Sequence, residues 1–452
     1  YECYSFINRK EVLTMPTKID FIGGNTRRCL MAMALPMIAA MFLNMAYNLV
    51  DSLWIGNLLG ETAYAALTNS TPIILILTSV AMGATNGVSI LLSQAIGAKD
   101  KRKTESLIAT SLIVAIAFSL LVTLVLELSL PFILKDLNTP TETYDMAYSY
   151  LAIYVLGYVA VYLYLYFTAV LRSFGNSMFQ AVAMLVSTIL NAILDPIFIH
   201  FIGFHGSAIA TLFSQVVCLI FMVVYLKKKK LFSLHITWFD KADVLSLIQK
   251  AIPSVIQQSI PAVSTTFLTA LVSTYSITAI AAYGITGKLE TILFYPAMAL
   301  NMVLTTIVGQ CIGGQRTDRA KDYLKCALKY GCLLLLILSI IIVALSRQLS
   351  GFFVNSSDVA AIVGVYFSIV GIGYILNTVT NSFLGVLNGF GKPAKSMLLM
   401  IFYYIVVRMP LAYLFSFWGF GLNGIWTAVL ISHICAAVAS IIVATLQFGT
   451  QK

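Results

Sequence analysis

Residues 30–56 read LMAMALPMIAAMFLNMAYNLVDSLWIG. At about 20 apolar residues per crossing, this run is long enough to span a bilayer as a helix. Its outer part nevertheless carries Asn44, Tyr47, Asn48 and Asp51. Tyr47 and Asp51, four residues apart, share one helical face. An ionisable side chain inside a span is costly, and such groups face a bundle interior or a water-filled path. Residues 187–199, STILNAILDPIFI, repeat the pattern with Asn191 and Asp195, again four apart. These two pairs are the candidate functional centre.

The rest of the 452 residues fit a chain that lives in lipid. They are 60% hydrophobic and 10% charged, with a mean hydropathy of +0.92. A soluble protein of this length needs far more charge to cover its surface. The net charge of +10 does not point to nucleic acid, because of where it lies. Nearly all the bases fall in short connections: Arg27 and Arg28, 99–103, Arg172, 227–230, 316–329, and Lys392 with Lys395. That placement is the positive-inside bias of a multi-pass membrane protein. The seven cysteines show no CxxC or metal-ligand spacing and read as small hydrophobes and reduced thiols. No cleavable signal peptide is expected, since the first apolar run is of span length.

Span-length apolar runs fall at 30–53, 63–92, 107–131, 146–170, 178–202, 206–226, 245–274, 278–308, 324–346, 359–388, 396–418 and 422–446. The fold class is all-α: twelve transmembrane helices in two parallel six-helix repeats, with kinks expected at Pro36, Pro196, Pro253, Pro261, Pro296 and Pro410. Basic connections precede the first span and follow the even ones, so both termini are expected in the cytoplasm. The repeat is visible directly. Thr62-Ala63-Tyr64-Ala65-Ala66 returns as Thr278-Ala279-Ile280-Ala281-Ala282, and Ser93-Gln94-Ala95-Ile96-Gly97 as Gly309-Gln310-Cys311-Ile312-Gly313. Val170 to Gly175 returns as Val386 to Gly391, all at an offset of 216, while Pro36 answers Pro253 one residue off that register. An even number of spans per unit makes the halves parallel, a transporter architecture in which access alternates by rocking. The expected division is an N-terminal lobe, 1–226, a cytoplasmic linker, 227–250, whose alternation suits a short surface helix, and a C-terminal lobe, 251–452.

Asp51 and Asp195 each lie about 20 residues beyond the start of parallel spans, and at about 1.5 Å per residue they reach similar depth. They are expected to share one cavity of the N-terminal lobe. Desolvation disfavours the charged form of a carboxylate, and a neighbouring carboxylate adds to the effect. Such a pair could carry a proton; with Asn191, Tyr47 and Thr211 it could instead offer oxygens to Na⁺. The bland alternative is a pair of helix-end residues wetted from outside, against which the matched depth and paired amides argue. In the other half, Glu290 and Lys288 of the eighth span and Arg408 of the eleventh are read as structural charges, Glu290 pairing with Arg408 or Lys288, with substrate contact as the alternative. Tyr154, Tyr158, Tyr162 and Tyr166 form an i, i+4 stripe that suits either an organic cation or helix packing. Gln257, Gln258, Asn377 and Asn381 suit cavity lining or interhelical bonding, and Gly83 with Gly87 a close helix approach. There is no GxxxxGK[ST] and no HExxH, and the four histidines do not cluster, so neither an ATP-driven machine nor an enzyme is expected.

LPMIAAMFLNMAYNLVDSLWIGNLLG (35–60), SQAIGAKD (93–100) and GQCIGGQR (309–316) resemble the multidrug and toxic compound extrusion (MATE) family over the whole chain. The resemblance implies two six-helix lobes around a central cleft, exporting organic, often cationic or amphipathic, compounds, drugs or metabolites in exchange for H⁺ or Na⁺. Tyr47, Asp51, Asn191 and Asp195 match the positions that line the N-lobe cation site of the DinF-like branch; Asn48 lies beside them and Thr211 is a looser match. The NorM-like branch carries an acid in the seventh helix, whereas this chain reads SVIQQSIPAVS after Pro253, without a carboxylate. The expected setting is a bacterial or archaeal plasma (inner) membrane, with a small-molecule organic substrate and the bilayer as partners, no nucleic acid, and a monomer as the working unit. No cofactor is expected beyond the coupling ion, and no metal beyond Na⁺ at Asp51, Asp195 and Asn191. The alternative function is a flippase of a lipid-linked precursor with related architecture.

Overall fold

The computed structural model describes residues 19–136, 139–229, 238–354 and 356–450. The first lobe comprises α1 (Thr26–Leu59), α2 (Glu61–Gly97), α3 (Lys101–Asp136), α4 (Thr141–Leu156), α5 (Tyr158–Ser173), α6 (Met178–Ile202) and α7 (Phe204–Lys229). The second holds α8 (Lys241–Ser273), α9 (Ile277–Gly313), α10 (Thr317–Gly351), α11 (Ser357–Val370), α12 (Gly373–Gly389), α13 (Pro393–Ile401), α14 (Met409–Phe417) and α15 (Gly421–Gly449). Among the described residues ten helical stretches are long and apolar enough to cross a membrane, and α4–α5 and α11–α12, bent by 48° and 52°, bring the spans to twelve when each pair is taken as one. The bend at Gly157 divides the tyrosine stripe, leaving Tyr154 on α4 and the other three on α5. All four tyrosines are buried, and the Tyr158 and Tyr166 hydroxyls donate to the Leu77 and Ile108 carbonyls at 3.0 and 2.9 Å. All four rings thus pack within the first lobe.

The prolines act locally. Pro36 offers no N–H to the Ala32 carbonyl one turn back, and the Ser177 hydroxyl from the start of α6 donates to Ala32 O at 3.4 Å and Met33 O at 2.9 Å. Residues Phe402–Arg408 form a π-helical turn between α13 and α14, directly before Pro410; a proline crowds the carbonyl four residues back, and widening the turn relieves it. Lys227–Lys229 close α7, while 241–250 of the expected linker form the first turns of α8, capped by Asp240. Residues 230–237 of that linker lie outside the described residues.

The lobes meet along α2, α8 and α9 in the half of the bundle nearest the basic connections. A Cβ on Gly83 or Gly87 would fall 2.4 and 2.7 Å from the backbone of α8, so the expected close approach is real. At the basic face the seam is reciprocal. Gln94 Nε2 donates to Gly389 O at 2.9 Å, and Gln310 Nε2 donates to Ser173 O at 2.6 Å. Donors and acceptors are each 216 residues apart. Both acceptors are the last residues of helices, whose carbonyls lack an intrahelical partner. Within the second lobe Lys250 Nζ of α8 donates to Gly391 O, just past α12, at 2.6 Å.

Candidate functional site

The carboxylates of Asp51 on α1 and Asp195 on α6 lie within hydrogen-bonding reach of each other, deep in the first lobe. Asp195 is fully buried and Asp51 is 8% exposed. Helical spacing places their partners. Asn191, one turn before Asp195, donates from Nδ2 to Asp195 Oδ1 at 3.0 Å. Tyr47, one turn before Asp51, reaches α7, where its hydroxyl lies 3.2 Å from Ser214 Oγ and 3.4 Å from Thr211 O.

The third wall is α7, which turns back on α6 at Gly203 with φ +69°. A Cβ at Gly206 would fall 2.2 Å from Phe198 O, so the hairpin closes only because that side chain is absent. The close approach brings Ser207 against α1, and its hydroxyl donates to Asp51 Oδ1 at 2.7 Å. Ser207 and Ser214 escape a reading based on rare charged residues. Their signal was the i, i+4, i+7 row Ser207, Thr211, Ser214, which puts three hydroxyls on one face of an apolar helix. Tyr150 of α4, buried against Phe204 at a ring separation of 5.3 Å, is within electrostatic range of both acids.

Asn191 Oδ1, Asp195 Oδ2 and Thr211 Oγ1 are buried without a hydrogen-bond partner. The oxygens of Asn191 and Thr211 are acceptors of the type a hard monovalent cation takes. Asn48 does not join the group. Its Nδ2 donates to Asn44 O and Oδ1, both at 2.9 Å, and the side chain is exposed; a bond to its own preceding turn outcompetes a distant partner.

The second lobe corrects an expectation. Among the described residues Glu290 forms no ion pair with Arg408 or Lys288. Its Oε1 instead accepts from the hydroxyls of Tyr366 and Tyr374. Arg408, on the π-helical turn, donates to Tyr403 OH at 2.8 Å and Ser432 Oγ at 2.9 Å and lies 4.7 and 4.5 Å over the rings of Tyr403 and Tyr404. Tyr403 OH is 2.6 Å from His433 Nδ1. Lys288 lies over the Phe353 ring at 5.3 Å. Phenols and aromatic faces thus solvate the charges that a direct pair was expected to neutralise. Asn381 Nδ2 donates to Asn377 Oδ1 at 3.1 Å and its Oδ1 accepts from Asn301 at 3.2 Å, an interhelical bond.

The MatE family model matches residues 36–197 and again 253–414. A probable multidrug resistance protein of Bacillus subtilis, YpnP, is 25% identical over 92% of this chain and 95% of its own length. An FAD transporter of Shewanella oneidensis is 26% identical over 94% of this chain and 96% of its own. The outward-facing structure of a multidrug resistance MATE family transporter of the MOP superfamily superposes with a TM-score of 0.90 at 21% identity, covering 95% of this chain and 98% of that one.

Proposed function

This chain belongs to the MatE family of membrane transporters, and we propose that it is a secondary antiporter exporting organic, often cationic or amphipathic, compounds, with Asp51 and Asp195 as its coupling site. The observation that carries this reading is the approach of two buried carboxylates from different helices, with Asn191 donating to Asp195 and Ser207 to Asp51. Two acids so close hold one proton between them most readily. Separating α1 from α6, or wetting the site, releases it. Each charge moved is worth about 2.3 kcal/mol per 100 mV, enough to bias a transport cycle. The partnerless oxygens of Asn191 and Thr211 favour a second reading, in which Na⁺ is the ion carried. One chain is the transport unit, its basic face is cytoplasmic, and the glutamine seam closes that side.

The test is dye efflux from proteoliposomes under a proton gradient or a Na⁺ gradient alone, for wild type and Asp51→Asn. Efflux driven by protons and abolished in the variant supports proton exchange. Efflux driven only by Na⁺ moves the assignment to the second reading. Equal efflux by wild type and variant under either gradient sinks the carboxylate site.

A further inference from the structure

At the basic face α1 and α10 line an open cavity of about 470 Å³. The repeat supplies its counterpart where α3 meets α8, and the two corners differ in charge. In the α3–α8 corner Lys103 Nζ pairs with the buried carboxylate of Asp243, to which Ser106 Oγ also donates at 2.8 Å. The offset of 216 carries Lys103 onto Arg319, and the offset of 217 that relates Pro36 to Pro253 carries Asp243 onto Thr26. The contact persists, Arg319 Nη1 donating to Thr26 Oγ1 at 2.9 Å. The acid does not persist, because a neutral hydroxyl stands in its place.

The α1–α10 corner then adds more positive charge. Lys325 and Lys329 occupy positions that are Ala109 and Ile113 in α3, and Arg27 comes from α1. Among the described residues Asp322 is the one acid lining the cavity. The Arg27 guanidinium and the Lys329 ammonium lie 5.1 and 5.9 Å from the centre of one ring, Tyr330. Among the described residues neither these two nor Lys325 forms an ion pair. Like charges gathered this closely repel, and an anion among them removes the repulsion. From the cavity toward the other face, α10 exposes Leu333, Ile337 and Ile340, an apolar flank continuous with the basic mouth. A ligand with an anionic head and apolar tails matches both parts, and basic pockets between transmembrane helices take lipid head groups.

We propose that the cavity between α1 and α10 binds the phosphate of an anionic phospholipid through Arg27, Lys325 and Lys329, with the acyl chains along α10. In the α3–α8 corner Lys103 is paired with Asp243 and the places of Lys325 and Lys329 are held by Ala109 and Ile113, so that corner binds none. The inference does not depend on the carboxylate pair.

The full chain, purified in detergent and stripped of lipid, is titrated with phosphatidylglycerol or phosphatidylcholine and followed by native mass spectrometry. Wild type is expected to retain one phosphatidylglycerol and to prefer it over phosphatidylcholine. Lys325→Ala with Lys329→Ala should weaken retention about tenfold or more, and Lys325→Gln with Lys329→Gln should do the same at nearly native side-chain size. Lys101→Ala with Arg102→Ala, removing two exposed charges at the opposite corner, should leave retention unchanged. Gel filtration and thermal unfolding establish that each variant is folded. Equal retention by wild type and either lysine double variant overturns the proposal, as does equal retention of the two lipids. Displacement of the lipid by millimolar inorganic phosphate overturns the lipid assignment in favour of a free anion.

Discussion

Gln94 and Gln310 are repeat mates that each donate to the last carbonyl of a helix in the opposite lobe, Gly389 O and Ser173 O. Each bond is worth about 0.5–1.5 kcal/mol net. Removing both with Gln94→Ala and Gln310→Ala should shift the balance toward an open basic face by about 5- to 150-fold. The readout is thiol labelling at Ser93→Cys, a buried seam position, in a background without native cysteines. Unchanged labelling would remove the seam from the gating step.

Gly97 and Gly313 repeat this reciprocity sterically. A Cβ on either would fall 2.0 Å from the carbonyl oxygen of Gln310 or Gln94. Backbone cannot move aside as a side-chain tip can, so Gly97→Val should hold the lobes apart. Pulsed electron paramagnetic resonance between spin labels at the exposed positions 102 and 392 should give a longer mean distance than in wild type. An identical distance would show that the helices slide rather than separate.

For the acid pair, Asp195→Asn should abolish gradient-driven export while the protein still inserts and binds substrate. Ser207→Ala takes one donor from Asp51 and should cost about 1–3 kcal/mol at that carboxylate. Its expected signature is a displaced pH profile of transport at near-normal maximal rate. Loss of all transport with an unmoved profile would instead make Ser207 a packing residue.

In the second lobe Glu290 and Arg408 should respond unequally. Glu290→Gln retains an oxygen for the hydroxyls of Tyr366 and Tyr374 and should unfold close to wild type. Arg408→Met strips Tyr403 and Ser432 of their donor and should be destabilised by about 3 kcal/mol or more. Thermal unfolding in detergent measures both, and equal losses would imply that the two groups act as one ion pair.

Ahead of α1, the backbone amides of Gly23 and Ile22, each 3.0 Å away, donate to Asp20 and hold its carboxyl below the usual carboxylate range. A group with a lowered folded value contributes its stability above the unfolded pKa and loses it as pH falls through the folded one. Asp20→Ala should therefore lower the unfolding midpoint at pH 7, and the difference should shrink below the ordinary value of 3.8. A gap that persists in acid would assign the effect to lost packing.

The spans, the repeat and the carboxylate pair were legible because each is a local signal: apolar length, a recurring string, a rare charge inside lipid. What surrounds the carboxylates was not. Ser207 reaches Asp51 only because Gly206 lets α7 fold onto the Phe198 carbonyl, and no count of residues along one helix contains that contact. Glu290 drew attention as a charge in need of a counter-charge, yet two phenols from α11 and α12 satisfy it, on either side of a bend that an unbroken span of sequence conceals. Gln94 and Gln310 were visible as repeat markers, but a glutamine in sequence does not disclose whether it crosses to the other half.

Because each lobe offers the seam one amide donor and one carbonyl acceptor at equivalent places, the surface is self-complementary, as in a twofold dimer. An isolated half therefore carries both polar partners needed to mispair with its own copy, although Gly83 and Gly87 of α2, which admit α8, stand as Ala299 and Val303 in α9. Covalent joining of the halves suppresses that mispairing by raising the local concentration of the correct mate. The steric difference thus distinguishes the two lobes at a seam where the glutamine bonds alone would not.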